Sequence, residues 1–299
     1  MSFFKNLFAF KLNEAEISED KIIEKLEKFR IVPCGKHDEK SVGWDDFLDD
    51  DDSIIFKVSK GVYLLNLKTE DKSVPASVVG QKIKEKIKAM VKSGESYPTK
   101  KELKSMKEEI KHDLLSQAFV KPSFTVGYID FKNGLLVVDA SSPSKADKFN
   151  SFLRDSLGSL DIDIINPEKD VSEVMGEWLK NKKAERPFEI GNSCMFKERS
   201  GNNGKITVSQ HDLATEEIIQ HLENDNIVEK MDIIWQKRVS FALNSAFRIS
   251  KVKFLDIVNE QITEELGESD DKYAVLKAEM EIMTGDFAEI VRDITKSFS

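Results

Sequence analysis

Apolar residues recur along this chain in two rhythms, every second position in short runs and every third or fourth in longer ones. Residues 7–12 read as a strand. Ser18, followed by Glu19 and Asp20, caps a helix to about Phe29, with Ile22, Ile23, Leu26 and Phe29 on its apolar side. Pro33-Cys34-Gly35 ends it, and Asp45–Asp52 is expected as an acidic loop anchored by Trp44 and Phe47. Ile54–Ser59 and Val62–Lys68 predict a hairpin around Lys60-Gly61. Phe124–Phe131 and Leu135–Ala140 predict another, because Asn133-Gly134 between apolar runs favours a tight turn. Ser142-Pro143 opens a helix that Gly158 stops. A short strand at Asp161–Ile165 and a polar connector over 166–187 follow, with one helical piece at Val171–Lys180 and a boundary at Pro187.

Beyond that boundary, Ser193–Arg199 and Lys205–Gln210 predict a third hairpin. Thr215 opens a helix to about Glu223, and Val228–Gln236, Arg238–Asn244 and Phe247–Phe254 read as strands. Two acidic helices close the chain. In the last, Tyr273, Leu276, Met280, Met283, Phe287, Ile290, Ile294 and Phe298 keep to steps of three or four. That stripe suits a core-facing helix, with a dimer seam as the alternative.

Between the first two hairpins lies a different pattern. Residues 76–93 carry Val79, Ile83, Ile87, Met90 and Val91 as an apolar stripe flanked by lysines. The strict alternation of Lys82, Lys84, Lys86 and Lys88 would also suit a strand, but Glu85 on that strand's apolar face favours a helix. Ser93-Gly94 and Pro98 mark a turn, and a second helix runs from Thr99 to about Gln117. Lys100, Lys104, Lys107 and Lys111 fall within about 60° of one another around it, with Leu103, Met106, Ile110 and Leu114 a quarter turn away. Like charges so placed repel unless an anion lies against them.

Charge sharpens this picture. The 299-residue chain has a net charge of −9, which taken alone argues against a nucleic-acid partner. Residues 82–111 are nevertheless +5, leaving −14 for the rest. Two acidic blocks account for that: residues 38–52 at −7 and residues 255–286 at −8. A basic segment in an acidic protein is a candidate phosphate-binding surface; an ordinary solvated helix pair is the alternative. The composition, 40% hydrophobic and 33% charged, is that of a soluble globular protein. No apolar run is long enough to span a bilayer and no export signal is read at the start. Cys34 and Cys194 are too few for a disulfide framework, which suits a reducing cytoplasm.

Catalytic signatures are missing. His37, His112, His211 and His221 have no metal-ligand spacing with each other or with a cysteine. No phosphate-binding loop, dinucleotide fingerprint or nucleophile elbow occurs. The run Asp49–Asp52 lacks the alternating ligands of a calcium loop, and His211-Asp212 receives no catalytic role. No metal site, cofactor or catalytic residue is assigned.

Several segments, taken in order, resemble the recombination-associated RdgC family of bacteria over essentially the full length. They are Phe4–Leu7, Pro33–Gly35 with Gly43-Trp44, Val74–Val79, Ala118-Phe119, Asn133–Leu135 with Val138-Asp139, Leu153–Leu160, Asp212–Ile218 and Met283–Asp286. The resemblance implies an α+β fold of antiparallel sheets with helices, in several subdomains, paired as a two-fold homodimer closed into a ring around double-stranded DNA. The expected division is a first α+β domain of 1–74 and 117–168, a basic helical hairpin of 75–116, and a second α+β domain with C-terminal helices over 169–299. The resemblance further implies a cytoplasmic, nucleoid-associated protein that binds DNA with little sequence preference and restrains the RecA recombinase, and that is not an enzyme.

On this reading Lys82, Lys84, Lys86, Lys88, Lys100, Lys101, Lys104, Lys107 and Lys111 are the DNA-facing residues. Phe119 matches a family position at one dimer contact, and Gln210, His211 and Asp212 match a segment at the other. Where relatives carry Lys-Gln, this chain has Gln210-His211, a departure that puts any role of that lysine in doubt. The rival reading is a regulator that touches the recombinase directly through its acidic surface.

Overall fold

Ser142 and Gly158 show how directly local chemistry sets an element. The computed structural model, which describes residues 3–13, 17–48, 53–199, 204–266 and 271–299, has helix Pro143–Leu157 between them. Ser142 Oγ accepts from the Lys145 amide, and Gly158 ends the helix with φ +80, which a side chain would resist. The fold is α+β, with a large antiparallel sheet system and eight helices among the described residues. The chain forms two compact units, Met1–Ile22 with Ile55–Leu65 and Val126–Ser299, and Ile23–Ile54 with Asn66–Thr125.

In order, the elements are β1 (Asn6–Leu12), α1 (Glu19–Glu27), β2 (Lys40–Asp45), β3 (Ile55–Ser59), β4 (Val62–Lys72), α2 (Ala76–Lys92), α3 (Lys100–Leu115), β5 (Val120–Asp130), β6 (Leu135–Val138), α4 (Pro143–Leu157), β7 (Ile162–Ile164) and α5 (Val171–Lys180). Then come β8 (Phe188–Glu198), β9 (Lys205–Val208), α6 (Glu216–Glu223), β10 (Asn226–Trp235), β11 (Val239–Asn244), β12 (Ile249–Phe254), α7 (Asp256–Leu266) and α8 (Lys272–Ser297).

The first unit rests on antiparallel ladders running β6-β1-β12-β11-β10-β8-β9, with β7 also on β1. The pairing of β1 with β12, Leu7 opposite Ile249, brings together the first and last strands of the described residues. The stripe of α8 faces the core: Met280, Met283, Phe287, Ile290, Ile294 and Phe298 are buried. Phe287 sits 6.2 Å from Phe4 and 5.7 Å from Phe254, ring to ring. Burying such a side chain contributes about 2 kcal/mol. Tyr273 at the helix start is exposed, so the stripe is buried from Leu276 onward. Trp235 Nε1 donates to Asp293 Oδ2 at 2.9 Å, so the helix also satisfies a polar atom of the sheet.

The second unit contains β2, paired with the Asn66–Asp71 part of β4, and the α2–α3 hairpin. Trp44 is fully buried on β2 and Phe47 follows it, so both expected anchors are anchors. The strand β2 itself was not expected, and Asp49–Asp52 lie outside the described residues. After α1 the chain runs parallel to β2, with the amide of Trp44 donating to Phe29 O and that of Ile31 to Trp44 O. The lysine-alternating segment is helix α2, and β5 starts at Val120, four residues earlier than its apolar pattern suggests.

Candidate nucleic-acid interface

Two helices and a turn gather the chain's basic excess in the second unit. Helix α2 ends at Ser93, whose amide donates to Ala89 O at 3.0 Å and whose Oγ donates to Met90 O at 2.8 Å. Thr99 starts α3 with a capping box: its Oγ1 accepts from the Glu102 amide, and its own amide donates to Glu102 Oε2 at 2.7 Å. Those hydrogen bonds hold the Glu102 carboxyl below its ordinary value, so its charge stays at the helix start. Val79, Met106, Ile110 and Leu115 are buried, with Ile83, Ile87 and Leu103 half-buried. Lys86 and Glu109 bridge the two helices at 2.8 Å. Lys111 reaches Glu39 at 2.7 Å, and beside it the rings of His37 and His112 stack at 4.0 Å.

These contacts divide the nine expected lysines. Lys82, Lys86 and Lys111 are each held by a carboxylate. Lys84, Lys88, Lys100, Lys101, Lys104 and Lys107 are exposed and have no ion-pair partner among the described residues. Lys100, Lys104 and Lys107 share one side of α3 by their spacing, an arrangement that suits contact with repeated phosphates. Sequence reasoning passed over Tyr97, 67% exposed in the turn between Lys92 and Lys100; an aromatic among lysines was its signal.

Phe119, just beyond α3, is 94% exposed, and Val120 and Phe124 on β5 are exposed too. Gln210, His211 and Asp212 form an exposed loop after β9 in the first unit. Gln210 has φ +55, the His211 amide donates to Asn192 O at 3.0 Å, and Asp212 Oδ1 accepts from the Ala214 amide at 2.9 Å.

The family model described as "Putative exonuclease, RdgC" matches residues 2–299. The chain belongs to the RdgC family. Among RdgC relatives named "Recombination-associated protein RdgC", that of Psychromonas ingrahamii is 32% identical over 297 residues, covering 99% of this chain and 98% of its own. That of Colwellia psychrerythraea is 31% identical, with 99% and 96% covered. That of Pseudoalteromonas atlantica is 32% identical, with 97% and 94% covered.

Several of the segments that resemble RdgC build the fold. Leu153–Leu160 ends α4, and Met283–Asp286 lies within α8, where Asp286 accepts from Arg238 Nε at 3.2 Å and forms an ion pair with Nη2 at 3.2 Å. Among the described residues, no three His, Cys, Asp or Glu side chains come together so as to hold a metal ion. None of their helices is long and apolar enough to cross a membrane.

Proposed function

We propose that this chain is a sequence-independent binding protein for double-stranded DNA. It acts without catalysis or cofactor, as a two-fold homodimer closed around the duplex, and restrains RecA at the nucleoid during recombination. The observation that carries this reading is the set of six exposed lysines on the α2–α3 hairpin that have no ion-pair partner among the described residues. Each that meets a phosphate releases a condensed counterion, which drives binding without reading bases. Lys82, Lys86 and Lys111 are already held by Glu85, Glu109 and Glu39 and so add less to that charge. The exposure of Phe119 supports a contact between copies, since a nearly bare phenylalanine gains by burial. The relatives' printed name supports the tie to recombination.

The test is the triple variant Lys100→Glu, Lys104→Glu, Lys107→Glu, assayed for duplex binding and for inhibition of RecA strand exchange. Loss of both is expected. Inhibition that survives without DNA binding would favour direct contact with the recombinase through the acidic surface. The family description favours a second reading, DNA cleavage from an end. Incubating end-labelled duplex with the protein and Mg²⁺ decides it, and shortened strands would replace the first reading.

A further inference from the structure

Lys230 is a lysine set in the interior of a sheet. Its strand β10 is paired on both edges, with Lys230 opposite Met195 of β8 and Asn244 of β11. Helices α5 and α6 pack on β10, whose Val228, Met231, Ile233 and Trp235 are buried. Register puts Asp232 opposite Ala242 of β11, and Ala242 in turn opposite Ser250 of β12. Lys230 reaches across β11, and its ammonium donates to Ser250 Oγ at 3.1 Å. Lys230 is half-buried and has no ion-pair partner among the described residues. An ammonium drawn partly out of water with no carboxylate against it is costly, which favours the neutral amine.

A second cation adds to that cost. Between the pairs Ser240–Lys253 and Ala242–Ser250, β12 has Lys251 and Val252 against Phe241 alone, a β-bulge. Regular alternation would send Lys251 to the face opposite Ser250. Instead Val252 is buried, and Lys251, with φ +54, is exposed on the side of Ser250 and Lys253. Burial first, and the like charge of Lys251 next, hold the Lys230 ammonium below its ordinary value, with Asp232 opposing.

Three groups thus come together: an amine, a hydroxyl bonded to it, and a neighbouring ammonium. Desolvation and a nearby cation are the means by which a lysine nitrogen becomes a nucleophile. The surroundings also select the adduct. A neutral one would only end the repulsion with Lys251, whereas an anionic one would be attracted to it and could accept from the Ser250 hydroxyl. Carbon dioxide forms such an adduct. It is small and uncharged, so a half-buried nitrogen is within its reach.

We propose that Lys230 is a carbon dioxide site, which holds the molecule as a carbamate between Ser250 and Lys251. The Lys230 nitrogen lone pair forms a bond to the carbon, one C=O pair moves onto oxygen, and the nitrogen releases a proton to water. The product is –NH–COO⁻, with no oxidant, reductant or leaving group. A half-buried cation becomes an anion beside Lys251, so this face of the sheet changes sign at one point. The site is independent of the α2–α3 hairpin and of the DNA-binding reading.

The test incubates the whole chain with ¹³C-bicarbonate at mildly alkaline pH. Carbamates are trapped by ethylation with a trialkyloxonium salt and located by peptide mass spectrometry, and ¹³C NMR follows them without trapping. Label should appear at Lys230 at higher occupancy than at exposed lysines such as Lys132. Lys230→Arg should remove that signal. Lys251→Asn, a residue that tolerates the left-handed region, should lower occupancy at Lys230 several-fold, and Ser250→Ala should lower it too. Thermal melts check that each variant folds. Native protein with no carbamate at Lys230, or with no more than at exposed lysines, overturns the proposal whatever the variants do. Full occupancy in folded Lys251→Asn and Ser250→Ala overturns it as well, because the cluster then plays no part.

Discussion

Six hairpin lysines without acid partners among the described residues, and three with them, make a quantitative case. If Lys84, Lys88, Lys100, Lys101, Lys104 and Lys107 each neutralise one phosphate, the hairpin's share of the slope of log K against log salt is about −5 per chain. Between about 50 and 200 mM salt, that share weakens binding roughly a thousandfold. Replacing Lys100, Lys104 and Lys107 with glutamine halves it to about −3, and the same salt span then costs about 40-fold.

Glu109→Gln and Glu39→Gln work in the opposite direction, because they release Lys86 and Lys111 from bridges of 2.8 and 2.7 Å. The double variant should bind more tightly and steepen the slope by about 2. Both bridges are exposed, so stability should change by less than about 1 kcal/mol and the effect is on binding alone. Fluorescence anisotropy of a labelled duplex, repeated with two unrelated sequences, gives each slope; thermal melts confirm the fold. A native slope shallower than about −2, or releasing variants no tighter than native, refutes the division of the lysines into free and held.

Four further outcomes follow from the packing. Phe287→Ala, which empties a fully buried ring site beside Phe4 and Phe254, should lower stability by about 3–5 kcal/mol in urea unfolding; a loss under about 1 would show that the site collapses to fill the space. Phe119→Ala should leave unfolding within about 0.5 kcal/mol and weaken self-association in sedimentation, and unchanged association would remove Phe119 from any contact between copies. Burial first, then Asp232, push the Cys194 thiol up to about 12, so it stays protonated at pH 8. Iodoacetamide should therefore label Cys34, not Cys194, until the chain unfolds; equal labelling contradicts this. Burial also raises the Asp286 carboxyl above its ordinary 3.8, with Arg238 opposing. A raised folded value means that this group's stabilising contribution is full below 3.8 and is lost as pH rises through the folded value. Asp286→Asn should flatten that part of the urea-midpoint profile, and parallel profiles would count against it.

Local rules made much of the fold legible. Ser142, Pro143 and Gly158 delimited α4 without help from elsewhere, because a cap, a fixed φ and a left-handed stop act within one turn. Asn133-Gly134 marked the β5–β6 turn for the same reason, and the α8 stripe named its buried face. Strand β2 was missed because its segment is short and borders a run of acids. Only the ladder with β4 makes it a strand. The lysine excess was visible as a sum over residues 82–111, but its division into free and held cations was not. The bridge from Lys86 to Glu109 spans two helices, and that from Lys111 to Glu39 spans 72 positions.

Lys230 and Lys251 mark where local reading ends. In sequence they are two lysines in separate strands, unremarkable beside a hairpin with ten. Their shared face depends on a bulge, and the bulge depends on register with β11. By itself the sequence determined most of the elements, the family and the sign of the charge in each segment, because those follow from residue order within a few turns or strands. Tertiary structure decided which charges are neutralised, which face stays open and which backbone strain is held in place. Those depend on pairings between residues far apart in the chain, where register and packing, and no local preference, choose the partner.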